Sequence, residues 1–154
     1  MTERNLSPLV AALSMEPHPE GGWYKEIWKA AYQIPQSVLP GVYSGARPAA
    51  TSIYFLLHPG EFSDWHVVHS DELWMWHSGS PLELIIGGSG EGDPNQTESF
   101  ILGPDVVAGQ HPQALAPGGQ WQMARPLGDE PVLVSCVVAP GFHYDDFRLI
   151  QRGE

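Results

Sequence analysis

The sequence has little positive charge and no long hydrophobic run. Seven Lys and Arg residues stand against 18 Asp and Glu residues, which gives a formal net charge of -11. Because phosphate binding depends on Lys and Arg contacts, this balance argues against a nucleic acid or an anionic membrane as a partner. No stretch approaches the roughly 18 apolar residues of a membrane-spanning helix, and no apolar signal segment follows the polar start of the chain. We therefore expect a cytoplasmic protein.

The sequence also has only one cysteine, Cys136, which excludes an internal disulfide. Cys136 lies in the apolar run Val132–Val138. A buried thiol in such surroundings is a small hydrophobic side chain more often than a nucleophile. We expect Cys136 to have a structural role.

Turn-forming residues, in contrast, are abundant. The chain of 154 residues contains 17 Gly and 15 Pro, too many for a helical bundle, and its length fits one domain over residues 1–154. Ser7-Pro8, followed by Leu9 and Leu13, predicts a short N-terminal helix that ends near Met15. The aromatic run Trp23–Tyr32 is interpreted as a strand.

From Thr51 onward, short runs of β-branched and aromatic residues alternate with Gly, Pro or Asp stops. The predicted strands are Thr51–Leu57, Phe62–Val68, Glu72–His77, Leu82–Ile86, Thr97–Leu102, Gln120–Arg125, Val132–Val138 and Phe147–Ile150. Eight such strands with no helical period between them favour an all-β antiparallel sandwich or barrel.

Two of these strands carry the residues with the clearest chemistry. The period of two places His66 and Val68 on one face of the first strand, and Glu72, Trp74 and Trp76 on one face of the second. An imidazole and a carboxylate that share one space are ligand types that Mn, Fe, Ni or Zn accept. A buried hydrogen bond between His and Glu in a core would give the same pattern.

This segment resembles the first motif of the cupin superfamily, G-x5-H-x-H-x3-4-E-x6-G. Gly60, His66, Glu72 and Gly79 have its spacing, and Val68 stands at the second His position. The second cupin motif, P-x-G-x2-H, resembles the segment 117–122, in which Gln122 replaces the histidine. His66 and Glu72 are therefore the two metal ligands of that pattern that this sequence retains.

Four further segments narrow the resemblance to the group known as cupin family five, whose members are sometimes labelled predicted sugar epimerases. They are His18–Trp23, Thr51–Leu57, Ser70–Trp74 and Val138–Phe142. The resemblance implies a jelly-roll barrel, usually dimeric, with a pocket at the barrel mouth. It does not imply one reaction, because the superfamily includes isomerases, oxygenases, storage proteins and binding proteins.

Three interpretations of His66, Glu72 and Gln122 stay open. They hold a weakly bound divalent metal (Mn, Ni, Zn or Fe), or they form a metal-free polar cluster that orients a substrate or transfers protons, or they only hydrogen-bond one another inside a core. Val68 and Gln122 weaken the metal interpretation because one strong ligand is missing and the other is a neutral amide. His69 is an alternative ligand, but it is one residue out of phase with His66.

The remaining expectations concern the pocket around this cluster. Tyr54, Trp74, Trp76 and Gln122 are the expected substrate-binding residues, although Trp residues on alternating strand positions also fill cores. His66 is the candidate base, oriented by Glu72, and Tyr54 or Tyr144 is the candidate opposing acid.

Four other histidines, His18, His58, His111 and His143, adjoin Pro or Gly turn signals and are expected to be solvated loop residues. The turn from His18 to Gly22 is expected to be structural.

The function expected from these features is that of a small-molecule-binding cupin. The favoured activity is isomerisation or epimerisation of a carbohydrate-like or carbonyl compound, with His66 and Glu72 as catalytic residues. The alternatives are a non-catalytic binding protein of the storage or sensor type and a weak-metal oxygenase. A homodimer is expected because aromatic residues are enriched in interfaces, with Trp23–Tyr32 as the element that meets the neighbouring subunit.

Overall fold

The computed structural model describes residues 5–152, and the chain begins there with a short helix. The helix α1 covers Pro8–Ala12, and the Ser7 hydroxyl caps it by accepting a hydrogen bond from the Leu9 amide. The predicted helix start is confirmed. The helix ends at Ala12, earlier than the predicted end near Met15, because Leu13 leaves the helical backbone conformation.

Thirteen strands follow within the described residues, and they form two large sheets and one small one. The strands of the first sheet are, in spatial order, β1 (Glu16–Pro17), β2 (Trp23–Lys29), β5 (Thr51–Leu57), β12 (Val132–Ala139), β7 (Asp71–Ser78) and β10 (Gln113–Ala116). Those of the second are, in spatial order, β13 (Phe147–Leu149), β6 (Ser63–Val68), β11 (Gln120–Pro126), β8 (Leu82–Ser89) and β9 (Glu98–Leu102). In the third, β3 (Gln33–Ile34) pairs with β4 (Arg47–Pro48).

Every pair of neighbouring strands is antiparallel, so the all-β antiparallel prediction is confirmed. All eight predicted strands are present, with ends that differ by a few residues, and β5 has the predicted bounds. Strand β2 ends at Lys29, short of the predicted Tyr32. Strand β10 was not predicted, because Gln113–Ala116 contains no β-branched or aromatic residue.

Apolar side chains from both large sheets meet in one core. The core includes Phe55 and Trp74 from the first sheet and Leu84, Ile86 and Leu102 from the second, each with at most 1% of its surface exposed. This packing of two antiparallel sheets is the jelly-roll arrangement. No helix in the described part of the chain is long and apolar enough to cross a membrane.

Strand pairing fixes the positions of the polar residues. Gln122 on β11 pairs with His66 on β6, and Phe147 on β13 pairs with Val68 on β6. Glu72 on β7 pairs with Val138 on β12. The two strands that were predicted to carry His66 and Glu72 therefore belong to different sheets.

The Gly21-Gly22 turn brings the N-terminal segment against β6. Gly21 has φ +110°, and a Cβ atom on it would lie 2.2 Å from the carbonyl oxygen of Phe62. The Asp64 amide also donates to the carbonyl oxygen of Glu20 over 2.8 Å. Only glycine permits both this backbone conformation and this close approach, and together they place the Glu20 side chain beside β6.

Candidate functional site

A cavity of about 300 Å³ lies at one end of the barrel. Its deep part is formed by buried side chains of both large sheets, and its mouth by residues of β1, β2 and the segment before β13. The residues that line it are Glu16, His18, Glu20, Tyr24, Lys25, Glu26, Thr51, Ile53, His66, Val68, Glu72, Cys136, Val138, Phe142, Tyr144 and Phe147. A concave site with a few converging polar groups is typical of small-molecule binding.

His66 lies in the deep part of this cavity with 1% of its surface exposed. Its Nδ1 atom is 2.7 Å from the carbonyl oxygen of Asp64, and because a carbonyl oxygen only accepts, Nδ1 carries the hydrogen. Burial lowers the pKa of His66, against the opposing charge of Glu72. The ring is therefore neutral at pH 7, and its Nε2 atom has a lone pair that can accept a proton.

Glu20 contacts the same imidazole ring from the turn after β1. Its Oε2 atom is 3.2 Å from His66 Nδ1 and accepts a hydrogen bond from the Ser63 hydroxyl. Burial raises the pKa of Glu20 from 4.5 to about 8, although the Ser63 hydrogen bond opposes the shift. The carboxyl group is thus mainly protonated at pH 7.

His18 lies on the other side of the Glu20 carboxyl group. Its Nδ1 atom accepts from the Glu20 amide over 3.1 Å and is 3.2 Å from Glu20 Oε1. Burial, followed by the proximity of His66, lowers the pKa of His18 to about 4, so the ring is neutral. Since His18 Nδ1 already accepts, its close contact with Glu20 Oε1 is favourable only when that oxygen carries a hydrogen, in agreement with the raised pKa of Glu20.

A chain of hydrogen bonds from the core holds Glu72. Trp74 Nε1 donates to Gln122 Oε1 over 2.8 Å, and Gln122 Nε2 donates to Glu72 Oε1 over 3.0 Å. The indole can only donate, so it fixes the amide with its NH₂ group toward the carboxylate. Burial raises the pKa of Glu72 to about 7; His66 and Gln122 oppose the shift, and Glu20 adds to it.

The expected aromatic pocket residues lie elsewhere. Trp74 is 1% exposed within the hydrophobic core, and Trp76 packs against that core and donates to the Ser80 carbonyl oxygen. Tyr54 packs edge-on against His77. None of the three is among the described residues that line the cavity. Tyr54 is on the face of β5 opposite to the lining residue Ile53, whereas Trp74 and Trp76 share the face of Glu72 but lie further along β7.

The aromatic wall of the cavity is formed by other residues. Phe142, Tyr144 and Phe147 line it near its mouth together with Tyr24. Tyr144, one of the two candidate acids, is therefore in the cavity. The family-like segment Val138–Phe142 contains Phe142, and the segment His18–Trp23 ends directly before Tyr24, so these segments were the sequence signal that could have indicated part of this wall.

Two of the four histidines that were expected to be solvated have buried side chains. His18 lines the cavity with a side chain that is 5% exposed. His58 is buried, where it accepts from the Ser7 amide and contacts Glu61. His111 and His143 are exposed, as expected. His69 packs against the Tyr43 ring and lies outside the cavity lining, so it does not replace the missing ligand.

Cys136 has one property that its sequence context did not predict. It is 2% exposed and belongs to the core, as expected, but it also lines the cavity and hydrogen-bonds to Glu72. Burial raises the pKa of this thiol well above its ordinary value, and the nearby carboxyl groups add to the shift. The thiol is therefore protonated and acts as a further donor toward Glu72.

Comparison with known proteins assigns the chain to a family. The family model described as "Cupin superfamily (DUF985)" matches residues 7–150. The chain belongs to this cupin family. No curated protein matches it significantly.

Solved structures agree with this cupin assignment. A hypothetical protein from Leishmania major is 32% identical with a TM-score of 0.79, over 92% of this chain and 85% of that one. A protein from Shewanella oneidensis is 34% identical with a TM-score of 0.78, over 96% and 85% of the two chains. Oxalate decarboxylase from Bacillus subtilis is similar in fold alone, with 15% identity and a TM-score of 0.54 over 90% of this chain and 30% of that one.

The cavity of this cupin does not fit the metal site that the superfamily motif implies. Val68 lines the cavity where the motif has its second histidine. The oxygen of Gln122, which was a candidate third ligand, already accepts from Trp74. Across residues 5–152, no cluster of three or more His, Cys, Asp or Glu side chains is arranged to hold a metal ion. Of the four ligand positions of the motif, His66 and Glu72 thus keep their donors, and the other two supply none.

We predict that restoring an imidazole donor creates a metal site. In a Val68→His variant, the new ring would enter the cavity beside His66 and Glu72, and the affinity for Zn²⁺ or Ni²⁺ should rise by about tenfold or more. Competition with a chromogenic chelator measures this affinity. The matched control is Val137→His, because Val137 is outside the cavity lining. Equal affinities in the two variants, or a full equivalent of metal that wild type retains through dialysis against chelator, would contradict the prediction.

We predict that Glu20 makes stability fall between about pH 4.5 and pH 8. Folding raises the pKa of Glu20 from 4.5 to about 8, so the stabilisation from its protonated form is complete below pH 4.5 and is lost progressively until the pH has risen through about 8. Glu20→Gln stays neutral, so its free energy of unfolding should fall less steeply than that of wild type over this range, by up to about 1.4 kcal/mol per pH unit. Denaturant titrations measure the slope. Glu98→Gln, on exposed β9, should keep the wild-type slope, and an unchanged slope in Glu20→Gln would contradict the prediction.

Proposed function

We propose that this cupin is an isomerase or epimerase that moves a proton beside the carbonyl group of a small, carbohydrate-like molecule. One observation carries the proposal: a neutral His66, whose Nδ1 hydrogen is engaged by Asp64, lies in a cavity with two carboxyl groups of raised pKa. General acid–base catalysis is most effective when the pKa values of the groups lie near the working pH.

The proposed reaction begins with proton abstraction by His66. The C–H bond next to the carbonyl breaks, its proton goes to His66 Nε2, and its electron pair forms the carbon–carbon double bond of an enol. Glu72, in its protonated form, gives its proton to the carbonyl oxygen. The imidazolium that forms is stabilised by the Glu72 carboxylate and by Glu20, 3.2 Å from Nδ1.

The return of the proton decides the product. If the His66 imidazolium returns it to the neighbouring carbon while Glu72 retrieves a proton from the adjacent hydroxyl group, the result is an isomer with a shifted carbonyl. If Tyr144 delivers a proton to the original carbon from the opposite face while the Glu72 carboxylate takes back the enol proton, the result is an epimer. Transfer of the His66 imidazolium proton to the Tyr144 phenolate, through water, then restores the starting state. The neighbouring phenol of Tyr24 stays protonated, because burial raises its pKa, and it hydrogen-bonds to Tyr144.

Exchange with deuterium tests this function. Wild-type protein is incubated in D₂O with a panel of aldoses, ketoses and their amino and phosphate derivatives, and the loss of the α C–H signal is followed by ¹H NMR. We expect exchange in wild type and a loss of about 10²-fold or more in His66→Gln. His111→Gln, at an exposed position, is the matched control. Unchanged exchange in His66→Gln would contradict the role of His66, and saturable binding without exchange would favour a non-catalytic binding protein.

We also propose that the chain forms a homodimer. Strand β2 pairs with β1 only at Trp23 and Tyr24, so the outer edge of residues 25–29 has no partner strand in the described structure. Ile27 and Trp28 on this strand are each 49% exposed. An exposed strand edge is a template for pairing with another chain, and Ile27 and Trp28 give this one two large apolar side chains.

Light scattering tests the proposed dimer. Wild type should have twice the monomer mass of 16.9 kDa, and Ile27→Lys should shift it toward the monomer because the charge would enter the interface. Val107→Lys, at a position that is already 100% exposed, is the control and should not change the mass. A monomeric wild type at micromolar concentration would contradict the proposal.

A further inference from the structure

The mouth of the cavity is built from aromatic rings. Phe142, Tyr144 and Phe147 pack edge to face, with ring centroids 5.0 Å apart for Phe142 and Tyr144 and 6.0 Å apart for Tyr144 and Phe147. Tyr24 lies in the same lining and hydrogen-bonds to Tyr144. Tyr144 is nevertheless 52% exposed, so its ring is available to a ligand. The faces of such rings attract cations.

Carboxyl groups accompany these rings. Glu16 and Glu26 line the mouth and are exposed, and Glu16 hydrogen-bonds to Tyr24. Lys25 is the one Lys or Arg among the described residues that line the cavity. Outside the lining, the Lys29 ammonium group is 3.9 Å from Glu26 Oε1, whereas no ion pair of Glu16 with a Lys or Arg is found among the described residues. The mouth thus keeps the carboxylate of Glu16 without a cationic partner, and it lacks the cluster of Lys and Arg side chains that recognises a phosphate group.

The deep end of the cavity has a different character. Glu20, His66 and Glu72 are each at most 9% exposed there. The Nδ1 atom of His66 donates to the carbonyl oxygen of Asp64, so Nε2 is the ring atom that is left for a ligand. Because His66 lines the cavity, a ligand that reaches past the aromatic mouth can place a polar group beside it.

We propose that the mouth binds an organic ammonium group, so that the substrate class of the proposed isomerase is amine-bearing carbonyl compounds such as amino sugars. The ammonium group contacts the faces of Tyr24, Phe142 and Tyr144 and is neutralised by Glu16 and Glu26. The carbonyl end extends to His66 and Glu72. This inference rests on the proposed function only for the identity of the deep group; the ammonium subsite stands on the mouth alone.

Calorimetric titration with three sugars that differ only at C6 tests the subsite at pH 7. 6-Amino-6-deoxy-D-glucose, whose amine lies at the end opposite to the carbonyl group, should bind about tenfold tighter than D-glucose, and D-glucose 6-phosphate should bind more weakly than D-glucose. Choline, which offers only a quaternary ammonium group and a hydroxyl group, should compete with the 6-amino sugar. Equal binding of the 6-amino sugar and glucose, tightest binding of the phosphate, or no saturable binding of the 6-amino sugar and choline would each overturn the proposal.

Variants at the mouth assign the preference to its residues. In the double variant Glu16→Gln/Glu26→Gln, the 6-amino sugar and glucose should bind with nearly equal affinity, because the neutralising carboxylates are gone. Tyr144→Leu should weaken choline by about fivefold or more. Glu98→Gln, an exposed carboxylate outside the cavity, should keep the full preference. A preference that persists in the double variant and in Tyr144→Leu would overturn the assignment to this subsite.

Two independent readouts separate this inference from the proposed function. A 6-amino sugar that binds with the expected preference but shows no deuterium exchange would support the ammonium subsite and contradict the isomerase. Exchange of neutral sugars that depends on His66 but shows no ammonium preference would do the reverse.

Discussion

Removal of ionisable side chains from water is the constraint on which this site depends. Glu20, His66 and Glu72 are enclosed between two sheets, and burial is the largest influence on the pKa of each. Burial penalises the charged form, so it raises the pKa of a carboxyl group and lowers that of an imidazole. One physical effect therefore produces both a neutral base and neutral acids near pH 7. Hydrogen bonds then determine which atoms remain available to a ligand: His66 donates to the Asp64 carbonyl oxygen, Ser63 donates to Glu20, and Gln122 donates to Glu72.

The part of this arrangement that follows from local sequence could be predicted. Strand alternation and turn residues act over a few positions, so the eight strands and the faces of His66 and Glu72 follow from spacing alone. The bounds of Thr51–Leu57 were predicted because a run of β-branched and aromatic residues ends there at a turn. The cupin resemblance added the barrel with a pocket at its mouth, whereas the location of His66 and Glu72 in different sheets was not predicted.

The remainder depends on contacts between distant segments. Glu20 reaches His66 only because Gly21 lets the turn approach the Phe62 carbonyl oxygen, and no pattern within residues 18–22 specifies that target. Trp74 was expected at the pocket, but its place further along β7 puts it in the core, where it acts on the site through Gln122. Alternation predicts on which face a side chain lies. How far it lies from the barrel mouth depends on how the two sheets pack.

Depth also separates the two tasks that we assign to the cavity. The buried carboxyl groups are favoured in their neutral form. Val68, in the same lining, has no charged group, and Lys25, the described lysine of the lining, is exposed at the mouth. A cation bound beside Glu72 would stabilise its carboxylate and remove the proton that it needs as an acid. Recognition of a cation and proton transfer therefore cannot share one position. Glu16 and Glu26 are exposed to water at the mouth, so a cationic group of the ligand can be neutralised there while the deep groups stay neutral. A ligand that fits this cavity must thus hold its charge and its reactive carbonyl at opposite ends.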